Sequence, residues 1–163
     1  MIYCGLDLST SCSGYSIFRD GKLIDYGAIK PNGTDWRERI MDETMQLEIL
    51  LNKYNPDKVY VEDVPKKPGN STLLKLGAVH GMILSLCAGF KINPIFLLPN
   101  EWRRKLGLYD GTREGLKREV LKEKAIIMSN NLFGLQLEWH GANSKKSMDD
   151  IAEAILIAYS QIA

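Results

Sequence analysis

The sequence predicts an α/β fold, a mixed five-stranded sheet flanked by helices, in one domain over residues 1–163. Three observations predict it. Three strand-like segments joined by tight turns open the chain, and two more strand-like segments each follow an amphipathic helical stretch. A last helical stretch carries small and apolar residues along one side.

IYCGLDLS is apolar and strand-like, and GYSIF follows it after a Ser/Thr-rich turn. Asp20-Gly21 tolerates the positive φ angles of a two-residue turn, so KLIDYGAIK folds back as a third strand. From about Asp35 to Tyr54, the apolar residues Trp36, Ile40, Met45, Leu47, Leu50 and Leu51 recur at helical spacing, and Asn55-Pro56 ends the helix. VYVEDV is the fourth strand. The next helix, about Ser71 to Cys87, repeats Leu73, Leu76, Val79, His80, Ile83 and Leu86, and INPIFLL is the fifth strand. The stretch from Pro99 to about Met128 reads as helical in its second half, the Asn- and Gly-rich stretch to Asn143 as loop, and Met148 to Ile162 as the closing helix.

Hydrophobic residues at 45% and charged ones at 25% exclude a disordered chain. Cys4, Cys12 and Cys87 are odd in number and lack paired or metal-ligand spacing, so they suggest neither a disulfide framework nor a zinc site and fit a reducing compartment. The opening residues lack a basic n-region and carry Asp7 within the apolar run, so no signal peptide is expected. No apolar stretch is expected to reach the roughly 18 residues needed to span a membrane. The expected location is the cytoplasm.

Asp7 ends the first strand and Glu62 the fourth, where neighbouring parallel strands direct side chains to a common crevice. In the closing helix, Asp150 and Glu153 are three residues apart and share a face, while Asp149 points elsewhere and Ile151, Ala154, Ile155 and Ala158 suit packing on a sheet. Hard carboxylate oxygens suit Mg2+ or Mn2+, and two such ions roughly 3.5–4 Å apart stabilise the attacking and leaving oxygens of phosphodiester cleavage. With only His80 and His140 available, no Ser-His-Asp or Cys-His arrangement competes. Each acid alone also fits a local role. Asp7 suits a turn, Glu62 a solvated strand end, and Ser147 with Asp150 a capping box.

Three separated blocks, in order, resemble the RuvC family of Holliday junction resolvases. GLDLSTSCSGYSIF is similar to the family's opening strands, with Asp7 at the first catalytic acid and Gly14 at the second-strand glycine. EDVPKKPGNSTLLKLGAVHGMIL is similar to the second block through Glu62, Asn70, Ser71, Leu76, Gly77 and Gly81. DDIAEAILIAY resembles the third, with Asp150 and Glu153 at the acidic positions and Asp149 as a second candidate for the first of them. The resemblance implies an RNase H-like fold and a Mg2+-dependent endonuclease, with Mn2+ able to substitute. Such an enzyme works as a homodimer on four-way junctions and other branched DNA, with Asp7, Glu62, Asp150 and Glu153 as metal ligands. Two departures stand out: Glu153 replaces the usual Asp, and Pro65 stands where bacterial members often carry a stacking aromatic.

Between Glu101 and Lys124, eight basic residues against five acidic ones form a local positive excess suited to DNA phosphates. Arg103, Arg104, Lys105, Arg113, Lys117 and Arg118 are the candidates there, with Lys66, Lys67, Lys145 and Lys146 flanking the second and third acidic blocks. By resemblance, Arg103 or Arg104 and Lys117 lie near the scissile phosphate, and Lys117 joins the catalytic set. Trp102 suits either base stacking or core packing. Two other readings compete: an actin-like or sugar-kinase-type nucleotide-binding domain, which normally needs two such cores, and a non-catalytic junction-binding module, which the four acids oppose.

Overall fold

Asp20 (φ 50°) and Gly21 (φ 79°) both adopt the left-handed region, which is the turn geometry that the Asp-Gly pair was expected to supply. In the computed structural model, which describes residues 1–64 and 69–163, this turn joins β2 (Ser13–Arg19) to β3 (Lys22–Ile29). β1 (Ile2–Asp7) pairs antiparallel with β2 and parallel with β4 (Lys58–Glu62), and β5 (Ile95–Leu97) pairs parallel with β4. The sheet order is β3-β2-β1-β4-β5, the mixed five-stranded sheet expected.

Alternation along the strands sorts side chains onto two faces. Cys4, Leu6, Ile17, Val59 and Val61 face α1 (Trp36–Tyr54) and α2 (Asn70–Gly89), meeting Leu47, Leu51, Val79 and Ile83. Phe18 and Tyr60 face the other way, toward α3 (Pro99–Lys105), α4 (Arg118–Phe133) and α5 (Asp149–Ile162), with Trp102, Ala125, Ile155 and Leu156. Each large side chain fully buried here contributes about 1.5–3 kcal/mol.

Asp35 caps α1 by accepting from the backbone N–H groups of Arg37 (2.8 Å) and Glu38 (3.0 Å), and Asn55 at φ 43° closes it. The inward residues of α1 are Glu43, Leu47, Leu50 and Leu51. Met45, expected on the apolar face, is exposed with Met41 and Ile49, because it lies roughly 200° around the helix from Glu43.

In α2 only one narrow stripe, Val79, Ile83 and Cys87, is buried, and Leu73, expected inward, is exposed with Leu74 and Leu84. The expectation about membrane-length segments also needs correction. By length and composition α2 could cross a bilayer, with mean hydropathy 1.4 and 17% of the relevant window buried.

The region after β5 departs most from expectation. Pro99 starts a seven-residue helix, α3, where non-helical chain was expected, and α4 runs on to Phe133 until Gly134 (φ 64°) stops it. α5 is buried on nearly all sides rather than along one, because α4 covers its outer surface.

Candidate metal centre

Asp7 follows Gly5 on the α5 side of β1, and Glu62 follows Tyr60 on the same side of β4. Leu6 pairs with Val61 in the parallel register, so the two carboxylates emerge side by side at the strand ends. What brings the third acid is the absence of side chains beneath α5. A Cβ on Gly5 would lie 2.2 Å from the carbonyl oxygen of Ala154, and one on Gly14 would lie 1.9 Å from that of Asp150. The helix therefore rests its backbone directly on β1 and β2, and the Ser16 hydroxyl fixes it by donating to the Ala154 carbonyl at 2.8 Å.

This seating delivers Glu153 to the pair. Asp7, Glu62 and Glu153 each offer an oxygen, and all three lie within 4.8 Å of one another. Asp150, one turn earlier, sits beside the Cys12 thiol on the β1–β2 turn. Asp149 points away from the group, as expected, into a buried ion pair with Lys122 of α4. The capping-box role weighed for Asp150 is not seen. Met148 occupies the N-cap with no side-chain cap, while the Ser147 hydroxyl donates to the Gly141 carbonyl at 2.7 Å.

The electrostatics record crowded negative charge. Burial, then the neighbouring Glu62, Glu153 and Asp150 carboxylates, hold the Asp7 carboxyl well above the usual range. Burial and then Glu153 push Glu62 up to about 7, against the opposing pull of Arg103, the Trp102 hydrogen bond and Lys122. Asp150 is also raised, by burial and then by Asp149. Burial alone would lower Lys122, but the carboxylates of Glu153, Asp149 and Asp150 more than offset it and raise it. Arg103 Nη2 reaches Glu153 Oε1 at 3.2 Å, and the Trp102 indole N–H donates to Glu62 Oε2 at 2.9 Å. Among the described residues, two cations, Arg103 and Lys122, thus serve five acids. Hard oxygen donors with charge left over are the donor set that a divalent cation fits.

The family model of crossover junction endodeoxyribonuclease RuvC matches residues 3–159. The chain belongs to the RuvC family. A RuvC from Nitratidesulfovibrio vulgaris is 30% identical over 139 residues, covering 83% of this chain and 79% of that protein. One from Dictyoglomus turgidum is 26% identical over 99% of this chain and 96% of its own length. Among solved structures, Thermus thermophilus RuvC in complex with a Holliday junction substrate superposes with a TM-score of 0.76 at 17% identity, covering 99% of this chain and 93% of that one. The yeast mitochondrial Holliday junction resolvase gives 0.57 at 20% identity, over 97% and 76% of the two chains. The fold is the RNase H-like one that the resemblance implied, and the family's metal dependence agrees with the acidic cluster.

The basic candidates of this RuvC family member scatter more widely. Arg103 is half-buried at the centre, whereas Arg104, Lys105, Arg113 and Arg118 are exposed. Lys117 is exposed at the start of α4 and pairs with Glu114 at 2.7 Å. The lysine that α4 sends among the acids is Lys122, five residues on, a member of the basic run from Glu101 to Lys124 that the sequence did not single out for the site. Lys145 and Lys146, with Lys30 of the region after β3, line a cavity of about 310 Å3 whose wall includes Cys12 and Asp150. Lys66, Lys67 and Pro65 lie outside the described residues. Trp102 is fully buried, so of its two expected roles it takes core packing, with the added hydrogen bond to Glu62.

Proposed function

We propose that the chain is a metal-dependent endonuclease, one domain over residues 1–163, that hydrolyses phosphodiester bonds in four-way DNA junctions and other branched DNA. The observation that carries this reading is the meeting of Asp7, Glu62 and Glu153 oxygens within 4.8 Å. These three and Asp150 hold the cation. Mg2+ is the natural ion for an all-carboxylate set, with Mn2+ as its substitute, and the two-ion arrangement expected from the acids belongs to the same reading. When bound, the metal supplies a more acidic water and stabilises negative charge on the phosphate oxygens.

The protein side chains do the rest. Trp102 holds the Glu62 carboxylate in orientation through its N–H, and Arg103 holds Glu153 while presenting positive charge at the site. Arg104, Lys105, Arg113, Lys117, Arg118, Lys145 and Lys146 bind backbone phosphates around it, so binding weakens steeply as salt rises. The names borne by the relatives support branched DNA, four-way junctions above all, as the substrate class. Free thiols at Cys4, Cys12 and Cys87 suit work in the reducing cytoplasm.

A homodimer completes the reading. The outer surface of α2 exposes Leu73, Leu74 and Leu84, and a Cβ at Gly77 or Gly81 would meet nothing within 4 Å among the described residues, which leaves room for close approach of a second helix. This assigns the apolar length of α2 to a protein contact rather than to a bilayer. Sedimentation checks it, since Gly77→Leu is expected to yield monomers where the parent chain sediments as a dimer.

The deciding experiment offers purified protein a four-way junction, a three-way fork, a flap and linear duplex, with Mg2+ or with chelator. Asp7→Asn, Glu62→Gln and Asp150→Asn are each expected to abolish cleavage while junction binding persists. A variant that cleaves at the parent rate removes its carboxylate from the mechanism.

A further inference from the structure

The first turn of α5 carries Asp149 and Asp150, and it starts without a side-chain cap, tied at its N-cap through the backbone by the Met148 N–H donating to the Glu138 carbonyl at 2.9 Å. Met148 at the N-cap (φ −104°, ψ 31°) offers no side-chain acceptor, and residues 135–148 before it form neither helix nor strand. An uncapped helix start leaves backbone N–H groups without partners and costs about 1 kcal/mol relative to a good cap. A metal ligand on such a turn needs holding from outside.

Lys122 provides the hold. Its ammonium, 11% exposed, comes from the second turn of α4 and meets the Asp149 carboxylate, 9% exposed, in the interior. Successive side chains on a helix diverge by about 100°. Fixing Asp149 against α4 therefore also fixes the direction of Asp150, toward Cys12, and of Glu153, one turn above Asp149. A buried ion pair is a weak stabiliser, because desolvation of both charges offsets their attraction. The geometry it imposes is the larger effect. Gly5, Gly14 and Ser16 set the height of α5 over the sheet, and Ser129 donates to the Ala152 carbonyl at 3.3 Å, but these contacts engage the backbone farther along or beneath the helix.

We propose that Lys122 is a positioning residue for the metal centre: by clamping Asp149 it holds the uncapped first turn of α5 in the rotation that presents Asp150 and Glu153 to Asp7 and Glu62. The inference rests on reading those acids as the metal ligands. It is distinct from a role as a mere counter-charge, which predicts the opposite response to losing the lysine.

The test titrates Mn2+ alone, by calorimetry, into the parent chain, Lys122→Met, Lys122→Arg, the double variant Lys122→Met/Asp149→Leu, and Asp7→Asn. Lys122→Met is expected to bind Mn2+ at least tenfold more weakly and to lower kcat on a four-way junction with KM unchanged, and Lys122→Arg to restore most of both. The double variant removes both charges, so it is expected to melt no lower than the parent while still binding Mn2+ weakly, and it carries the test should Lys122→Met fail to fold. Unchanged or tighter Mn2+ binding by the folded Lys122→Met or double variant overturns the proposal. Parent-like Mn2+ binding by Asp7→Asn would instead overturn the metal-site reading, which keeps the two failures apart.

Discussion

Replacing Gly14 by alanine tests whether the height of α5 over the sheet sets the metal centre. Gly14 lies opposite Asp7 in the β1–β2 ladder, and its added Cβ would sit 1.9 Å from the Asp150 carbonyl oxygen and 2.3 Å from the carbonyl carbon. Ordinary contact begins near 3.4 Å, so the first turn of α5 must retreat by roughly 1.5 Å. Both partners in the clash are backbone, and no side-chain rotation relieves it. Overpacking of this kind costs about 1–3 kcal/mol. For a domain of this size that lowers Tm by roughly 2–12 °C at about 2–4 °C per kcal/mol. Displacing the proposed ligand Asp150 by about 1 Å costs on the order of a hundredfold in rate. The variant is therefore expected to stay folded, to bind Mn2+ at least tenfold more weakly, and to cleave a labelled four-way junction about a hundredfold more slowly under single-turnover conditions. Gly89→Ala, where nothing lies within 4 Å, is the control. Parent-like cleavage and Mn2+ affinity in Gly14→Ala would refute the claim that the glycine seats the helix.

Trp102→Phe keeps most of the buried ring but removes the donor to Glu62 (2.9 Å), so it should cost about 1 kcal/mol of stability and slow cleavage several-fold, as read from melting and junction assays. An equal rate would deny the indole its orienting role. In chelator, stability should fall as pH rises from about 5 to about 7. Glu62 and Glu43 each release their protons near pH 7 in the fold, against an ordinary 4.5, so the folded state holds protons that the unfolded chain has already lost. The raised Asp7 and Asp150 carboxyls add to the same slope, so saturating Mn2+ should remove the share of the clustered acids and Glu43→Gln that of Glu43, and a Tm that climbs over the same interval contradicts both.

Patterns along the chain reveal the strands well, because Asp20-Gly21, the apolar alternation and the strand-ending acids Asp7 and Glu62 are local signals. Asp150 and Glu153 are legible for the same reason, being three residues apart on one helix. What local pattern does not carry is the company these acids keep. Trp102 and Lys122 reach them from α3 and α4, and nothing in PNEWRRK or REVLKEK marks one indole or one lysine as inward-facing. Glu43 shows the same limit. A carboxylate at a core position of α1 reads as surface, yet it is fully buried and takes the Ser13 hydroxyl, bracing the turn that follows Asp7. The exposed Met45 is its counterpart, an apolar side chain that helical phase turns outward.

Met41 and Met45 stand 70% and 62% exposed on the outer side of α1, close enough along the helix to react as a pair. Thioethers left open to solvent oxidise readily to sulfoxides. The molecule thus carries its own chemical footprinting label, and mild peroxide read by mass spectrometry reports whether DNA or another protein shields that flank during a reaction cycle.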